Sequence, residues 1–381
     1  MSSPPELGVG IVGYGMMGKA HCYGYRVAPL LRKLPVTPVV SVISGRSEPG
    51  VAAAAAAYGI PSFTTDWHSL IARDDIEIVD ICTPPGTHSQ IAQAAAAAGK
   101  AVLCEKPLAL SYPQAAEAVA AVKRAGVHHA VGFNYRRLPA VALMRRMVAE
   151  GAVGDIRLYR ATWASDEFAD PETPYDWRFD RAMGGTTIAD LGSHLIDLAL
   201  CLAGGIHSVC AQAETFIRER PLPEGGTGPV TVDDAAGALL RFDSGALGTV
   251  EVARAAVRRP CDFTVEVNGS HGTLVFDYAR LNELRYGSAN DDAGLYGMRR
   301  IRAEHPSHPY AAQWWPLGQG VGYGSSFANQ VADLLADWPE GQWSPGFGQG
   351  AAVQAVCDAM EASAAQHRWV AVSEITGRND A

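Results

Sequence analysis

The chain has 381 residues, 48% of them hydrophobic and 19% charged, with a formal net charge of -9. That length can bury more than one core, so two domains are expected, and a negative chain without a basic stripe argues against nucleic acid as the main partner. The opening MSSPPELGVGIVGYG lacks a cationic segment leading into a long apolar run, and the longest apolar stretches are alanine-rich, too short or too polar for a bilayer; neither a secretory signal nor a membrane partner is expected.

Residues 7 to 13, LGVGIVG, form an apolar run rich in β-branched residues and read as a buried parallel strand, with a helix from about Met17. The runs VVSVIS (39 to 44), IEIVDICT (76 to 83) and KAVLCEK (100 to 106) recur with alanine-rich helical stretches between them, which is βαβ alternation. A helix over 113 to 126 precedes VGFN, the expected last strand of the first domain. The fold class is α/β: a Rossmann domain over 1–133, then an α/β domain over 134–381 with a large, mostly antiparallel open sheet. The alternating runs IRLYRATWAS, AAGALLRFDSG, ALGTVEVARAA, DFTVEVNGS and GTLVFDY supply that sheet. Helices near 188 to 203, 325 to 337 and 347 to 366 should cover one face, and 219 to 230 and 286 to 324 read as long loops. Seven scattered cysteines without a CxxC pair suit reduced thiols, and a cytoplasmic protein is expected.

Gly13-Tyr14-Gly15-Met16-Met17-Gly18 is a GxGxxG between a strand and a helix, the context in which backbone can approach a pyrophosphate at a helix N-terminus. The same residues nearly make a P-loop, but Ala20 follows Gly18-Lys19 where a hydroxyl would hold Mg²⁺, so phosphoryl transfer is disfavoured. Where NAD-selective proteins carry an acid at the end of the second strand, this chain has Ser44-Gly45-Arg46-Ser47. A guanidinium beside two hydroxyls suits a 2′-phosphate, so NADP(H) is favoured over NAD(H).

Oxidising a hydroxyl requires a base and a group that stabilises developing alkoxide. None of the five lysines has a tyrosine four residues before it, which excludes the Tyr-x-x-x-Lys pair of short-chain dehydrogenases. Glu105-Lys106-Pro107 instead follows the strand AVLC, and ligands of open α/β sheets bind beyond the carboxyl ends of strands.

Taken with GYGMMGKAH (13 to 21), ICTPPGTH (81 to 88), GFNYRR (132 to 137), DWRF (176 to 179) and GGTTIADLGSHLIDL (184 to 198), the CEKPLAL motif (104 to 110) makes the chain resemble the Gfo/Idh/MocA oxidoreductases over nearly its whole length. The resemblance implies that Lys106 polarises the reacting oxygen, Asp190 binds or orients, and His194 exchanges the substrate proton, with either Lys106 or His194 as formal base. Four-residue spacing puts Asp190 and His194 on one helix face; as metal ligands they lack a third partner at recognisable spacing, and no metal is expected. Thr83, Pro84, His88 and Glu105 are expected on the cofactor, as are Trp177 and Arg178 on its nicotinamide side. Asn134, Tyr135, Arg136, Trp163, Trp177 and Tyr323 join Lys106, Asp190 and His194 as the expected substrate-binding set.

The implied function is hydride transfer between NAD(P) and a ring hydroxyl, at carbon 3, of a sugar, anhydrosugar or glycoside, by a homodimer or homotetramer. The alternatives are an inositol or polyol dehydrogenase, a nicotinamide-dependent glycoside-cleaving enzyme and a non-catalytic dinucleotide-binding regulator.

Overall fold

The computed structural model describes residues 4–377, which divide into two compact units: residues 4–137 with 321–351, and 138–320 with 352–377. The first unit is built on a six-stranded, wholly parallel sheet. Its strands are β1 (Glu6–Val12), β2 (Thr37–Ser44), β3 (Ser62–Thr64), β4 (Ile78–Ile81), β5 (Ala101–Cys104) and β6 (His129–Val131), in the order β3-β2-β1-β4-β5-β6. β1, β4 and β5 are buried along nearly their whole lengths, as continuous apolar runs between helix layers must be. The order reverses between β1 and β4, and such a switch point opens a crevice at the strands' carboxyl ends.

Helices α1 (Met16–Leu31), α2 (Glu48–Tyr58), α3 (Trp67–Ile71), α4 (His88–Ala97) and α5 (Tyr112–Ala125) connect these strands. The alanine runs are packing surfaces, with Ala92, Ala95 and Ala96 of α4 and Ala115, Ala118 and Ala121 of α5 all buried.

One expected helix, α8 (Ser325–Leu334), belongs to this first unit and does not cover the second sheet. It packs along α1, whose Gly24 permits the approach: a Cβ there would stand 3.0 Å from the Phe327 carbonyl oxygen. Its residues are buried almost all round, and Asn329 Nδ2 donates to the Arg137 carbonyl at 2.9 Å. A single boundary at residue 133 therefore does not describe the chain, because this tertiary return is invisible to local pattern.

After α6 (Pro139–Ala149), the second unit carries a nine-stranded sheet. Its members are β7 (Ile156–Ala164), β8 (Ile206–Glu214), β11 (Ala235–Phe242), β12 (Leu247–Ala253), β13 (Asp262–Gly269), β14 (Gly272–Asp277), β15 (Glu283–Ser288), β16 (Arg299–Arg302) and β17 (Val370–Ala371). The order is β16-β15-β14-β13-β7-β12-β11-β8-β17, and only β7 and β12 pair in parallel. Strict alternation of buried and exposed residues in β11 and β12 marks one packed and one open face.

On the packed face lie α7 (Ser193–Ala203) and part of α9 (Phe347–Gln366). Tyr159 Oη donates to the Leu195 carbonyl at 2.7 Å, joining β7 to α7, and Ser363 Oγ accepts from the Ala211 amide at 2.9 Å, joining α9 to β8. A short α10 (Val372–Thr376) ends the described chain.

Two expected loops contain strands. The stretch 219 to 230 folds as a hairpin of β9 (Glu219–Pro221) and β10 (Thr227–Pro229), and β16 pairs with β15 within 283 to 302. Three- and four-residue strands carry too few residues to show a period of two. The stretch Arg181–Ala203 is, by length and composition, apolar enough to cross a membrane; 78% of its most apolar window is buried inside the protein, as in a core helix.

Candidate active site

The glycine loop shows three separate physical reasons for its three glycines. Gly13 has a φ of +110°, and a Cβ on it would stand 2.5 Å from the Cys82 carbonyl oxygen. At Gly18 a Cβ would come within 2.1 Å of the Gly13 carbonyl oxygen, so this glycine closes the turn onto α1. A Cβ on Gly15 would meet nothing within 4 Å. That open space lies at the N-terminus of α1, where Gly15 is the cap residue and no side chain caps the helix. Free amides, helix dipole and open space together fit a dinucleotide pyrophosphate.

The first unit also holds the other expected cofactor residues except Trp177 and Arg178, which belong to the second unit. The Gly13 amide donates to the Ser44 carbonyl at 2.8 Å, tying the loop to the end of β2. Arg46 is exposed just beyond, while Ser44 is buried and Ser47 caps α2 by accepting from the Gly50 amide at 3.3 Å. Tyr14 lies over Gly45 and Gly50, either of which would strike its ring or hydroxyl if it carried a Cβ.

Past β4, Thr83 Oγ1 accepts from the Thr87 hydroxyl at 2.7 Å, and Pro84 precedes the turn into α4. His88 is fully buried, its ring nitrogens 2.7 Å from the Pro107 and Thr83 carbonyl oxygens, and burial pushes its pKa down. It thereby joins the turn after β4 to the turn after β5, where Lys106 is half-buried. Glu105 is buried and its Oε2 accepts from the Lys106 amide at 3.1 Å.

Asn134, Tyr135, Arg136 and Tyr323 form a second group in the same unit. Asn134 Nδ2 donates to Ser326 Oγ at 2.8 Å, and the Tyr135 and Tyr323 rings lie 5.9 Å apart. Asn134 and Arg136 are buried, with 2% and 5% exposure, so the sequence alone overstates how much of either side chain is open.

The second unit brings together Trp163, Asp190 and His194. A π turn, Ile188–Gly192, leads into α7 and carries Asp190; such turns recur at functional sites because they re-aim a side chain without ending the helix. His194 is 5% exposed, and its ring lies 5.5 Å from that of Trp163, which stacks in turn on Phe263 at 4.9 Å. Trp177 and Arg178 sit on a short turn before Gly184-Gly185. The Arg178 guanidinium lies 3.0 Å from Asp176 and 4.6 Å over the Trp177 ring. A Cβ on Gly185 would stand 2.4 Å from the Arg178 carbonyl oxygen, which accounts for the glycine.

Two residues of this second group have no signal in the sequence. Arg254, 1% exposed, places Nη1 3.9 Å from Asp190 Oδ2 and Nη2 3.3 Å from the Asp233 carbonyl oxygen. A buried guanidinium here supplies the positive charge that a partly buried carboxylate needs. In the sequence it is one polar residue at the end of the strand VEVAR. Glu167 is the other. Although its residue surface is exposed, desolvation around the carboxyl, then the Asp190 charge, holds its pKa above the usual range, with Arg178 and Arg254 opposing.

Comparison with known proteins identifies the family of both domains. Residues 7–133 match the oxidoreductase family model with NAD-binding Rossmann fold, and 141–275 match the Gfo/Idh/MocA C-terminal domain. Levoglucosan dehydrogenase of Pseudarthrobacter phenanthrenivorans is 40% identical over 388 aligned positions, covering 97% of this chain and 99% of that protein. A solved levoglucosan dehydrogenase in complex with NADH and levoglucosan is 41% identical with a TM-score of 0.93, covering 96% of this chain and 99% of that one. An oxidoreductase domain protein from Kribbella flavida is 44% identical, also with a TM-score of 0.93, covering 97% and 99%. With both family domains matched in order and a relative this similar over nearly its full length, the chain belongs to the Gfo/Idh/MocA oxidoreductases.

Proposed function

We propose that this protein oxidises carbon 3 of a glucose-like pyranoside or anhydrosugar, with NADP(H) preferred to NAD(H). The observation that carries the substrate class is the 40% identity to levoglucosan dehydrogenase across 97% of the chain. Bound at Gly13 to Gly18, the nicotinamide cofactor supplies the hydride acceptor. Lys106 polarises the reacting oxygen and stabilises its developing negative charge, as a fixed ammonium does best where water is scarce. His194 takes up the hydroxyl proton, and Asp190, paired with Arg254, accepts from a neighbouring hydroxyl and fixes the ring.

Asn134, Tyr135, Arg136 and Trp177 supply hydrogen-bonding groups and an aromatic face, a mixture suited to a ring with several hydroxyls because sites built to bond each one reject analogues lacking it. The open face of the large sheet exposes Leu239 (52%) and Leu247 (53%), which supports a homodimer or homotetramer.

The test is a panel of anhydrosugars, glucosides, free sugars and inositols, following absorbance of the reduced nicotinamide with each cofactor. Levoglucosan-type substrates should lead it; a lead by inositols, or cofactor that copurifies while products show no net oxidation, overturns the reading.

Arg46 carries the cofactor preference. Arg46→Ala should weaken NADP(H) by about 1.5 to 3 kcal/mol, the range for a charged phosphate contact, and leave NAD(H) nearly unchanged. An equal effect on both, measured by titration calorimetry, would show that Arg46 does not read the 2′-phosphate.

A further inference from the structure

His21 lies outside every role given so far, yet it is among the most enclosed polar residues of the first unit. It is 1% exposed on α1, between Asp80 on β4 (0%) and Glu105 just after β5 (4%). Its Nδ1 is 2.9 and 2.8 Å from the two Asp80 carboxylate oxygens and its Nε2 is 3.0 Å from Glu105 Oε1. The other oxygen of Glu105 accepts from the Lys106 amide at 3.1 Å. Asp80, His21 and Glu105 therefore form one buried chain that ends on the backbone of the lysine.

We propose that His21 is a positioning residue: by bridging Asp80 to Glu105 it fixes the carboxylate that receives the Lys106 amide, and so sets where the lysine side chain starts. The inference rests on the role given to Lys106 above.

A neutral imidazole has one N–H and one lone pair, and a lone pair facing a carboxylate at 3.0 Å is repulsive. Two carboxylates therefore call for the doubly protonated ring. Burial alone would lower the His21 pKa; the Asp80 carboxylate and Cys82 beside it together more than offset this and hold the ring well above its usual value. The neighbouring thiols and phenol are held in their neutral forms, and the nearby cations are Arg26, which acts on Cys22, and Lys106, which follows Glu105. Cys82 Sγ donates to Asp80 Oδ1 at 3.5 Å, and the Cys82 and Cys22 thiols and the Tyr25 phenol are all pushed up by burial and then by Asp80. From α8 the group that faces His21 is the Phe327 ring, at 5.4 Å.

His21, Asp80 and Cys82 also bring ligand-type atoms within 4.8 Å of one another. Both ring nitrogens are engaged by carboxylates at hydrogen-bond distance, which favours a proton over a metal ion in the cluster.

The experiment compares full-length His21→Gln and Asp80→Asn with wild type and Lys106→Ala, measuring cofactor affinity, KM and kcat against pH. His21→Gln should lower kcat about ten- to a hundredfold, the range for a displaced catalytic group, with cofactor affinity close to wild type. Asp80→Asn keeps the shape of the chain and covers the case in which His21→Gln does not fold. Without the Asp80 charge the ring loses its proton at lower pH than in wild type, so the ratio of this variant's kcat to that of wild type should fall as pH rises, which sets aside the pH dependence that His194 gives both proteins. Native kcat and a wild-type pH profile in both folded variants, or a stoichiometric metal that His21→Gln loses, overturns the inference. If Lys106→Ala itself turns over like wild type, the reading of Lys106 fails instead, and this inference with it.

Discussion

Asparagine at position 194 should lower turnover by about a hundredfold or more, because proton transfer by a positioned side chain is worth that much and an amide cannot replace it. Lys106→Ala should fall at least as far, since in the proposed mechanism it removes the charge that stabilises the developing alkoxide. In both variants cofactor affinity should stay near wild type and the loss should appear in kcat more than in KM, the signature of an interaction made in the chemical step. His194 is buried beside Trp163, so melting curves belong with the kinetics. A folded variant with near-native turnover would remove its residue from the chemistry.

The second large effect separates ligand from fold within one loop. A Cβ on Gly15 touches nothing within 4 Å, so Gly15→Val should fold with nearly unchanged melting temperature. The valine would occupy the space a pyrophosphate needs, and dinucleotide affinity should fall by about a hundredfold or more, about 2.7 kcal/mol. Gly18→Ala should do the reverse. Its Cβ collides with the Gly13 carbonyl oxygen at 2.1 Å, so stability should drop by about 1 to 3 kcal/mol, the cost of overpacking, before binding is considered. Calorimetric melting and cofactor titration on the same samples check both. A Gly15→Val protein that binds NAD(P) normally would mean that the cofactor does not lie over this glycine.

Where local chemistry decides structure, the sequence was readable. The parallel strands showed as short apolar runs, the helices as alanine stretches, and the loop as glycines at three required positions. Lys106 could be placed at a strand end because it sits within a few residues of its own signal, whereas Asp190, expected on one helix with His194, lies on a π turn that leads into the helix of His194. The π turn at Ile188–Gly192 has no such signal, since its sequence reads as ordinary helix.

Arg254, Glu167 and His21 were hidden for another reason. Each acts through a partner distant in sequence: Asp190 lies 64 residues before Arg254, and Glu105 lies 84 residues after His21. No periodicity reports burial of a single polar side chain. The return of α8 to the first unit was equally unreadable, because its amphipathic pattern suits any apolar surface and the small Gly24 that receives it is one glycine among 40.

Whether hydride leaves carbon 3 of a pyranose ring is answered most directly with levoglucosan deuterated at that carbon alone. The account predicts that the reduced nicotinamide isolated after turnover carries the label, one deuterium per 3-keto product, and that turnover is not faster than with unlabelled sugar. Deuterium retained at carbon 3 through full turnover would contradict it.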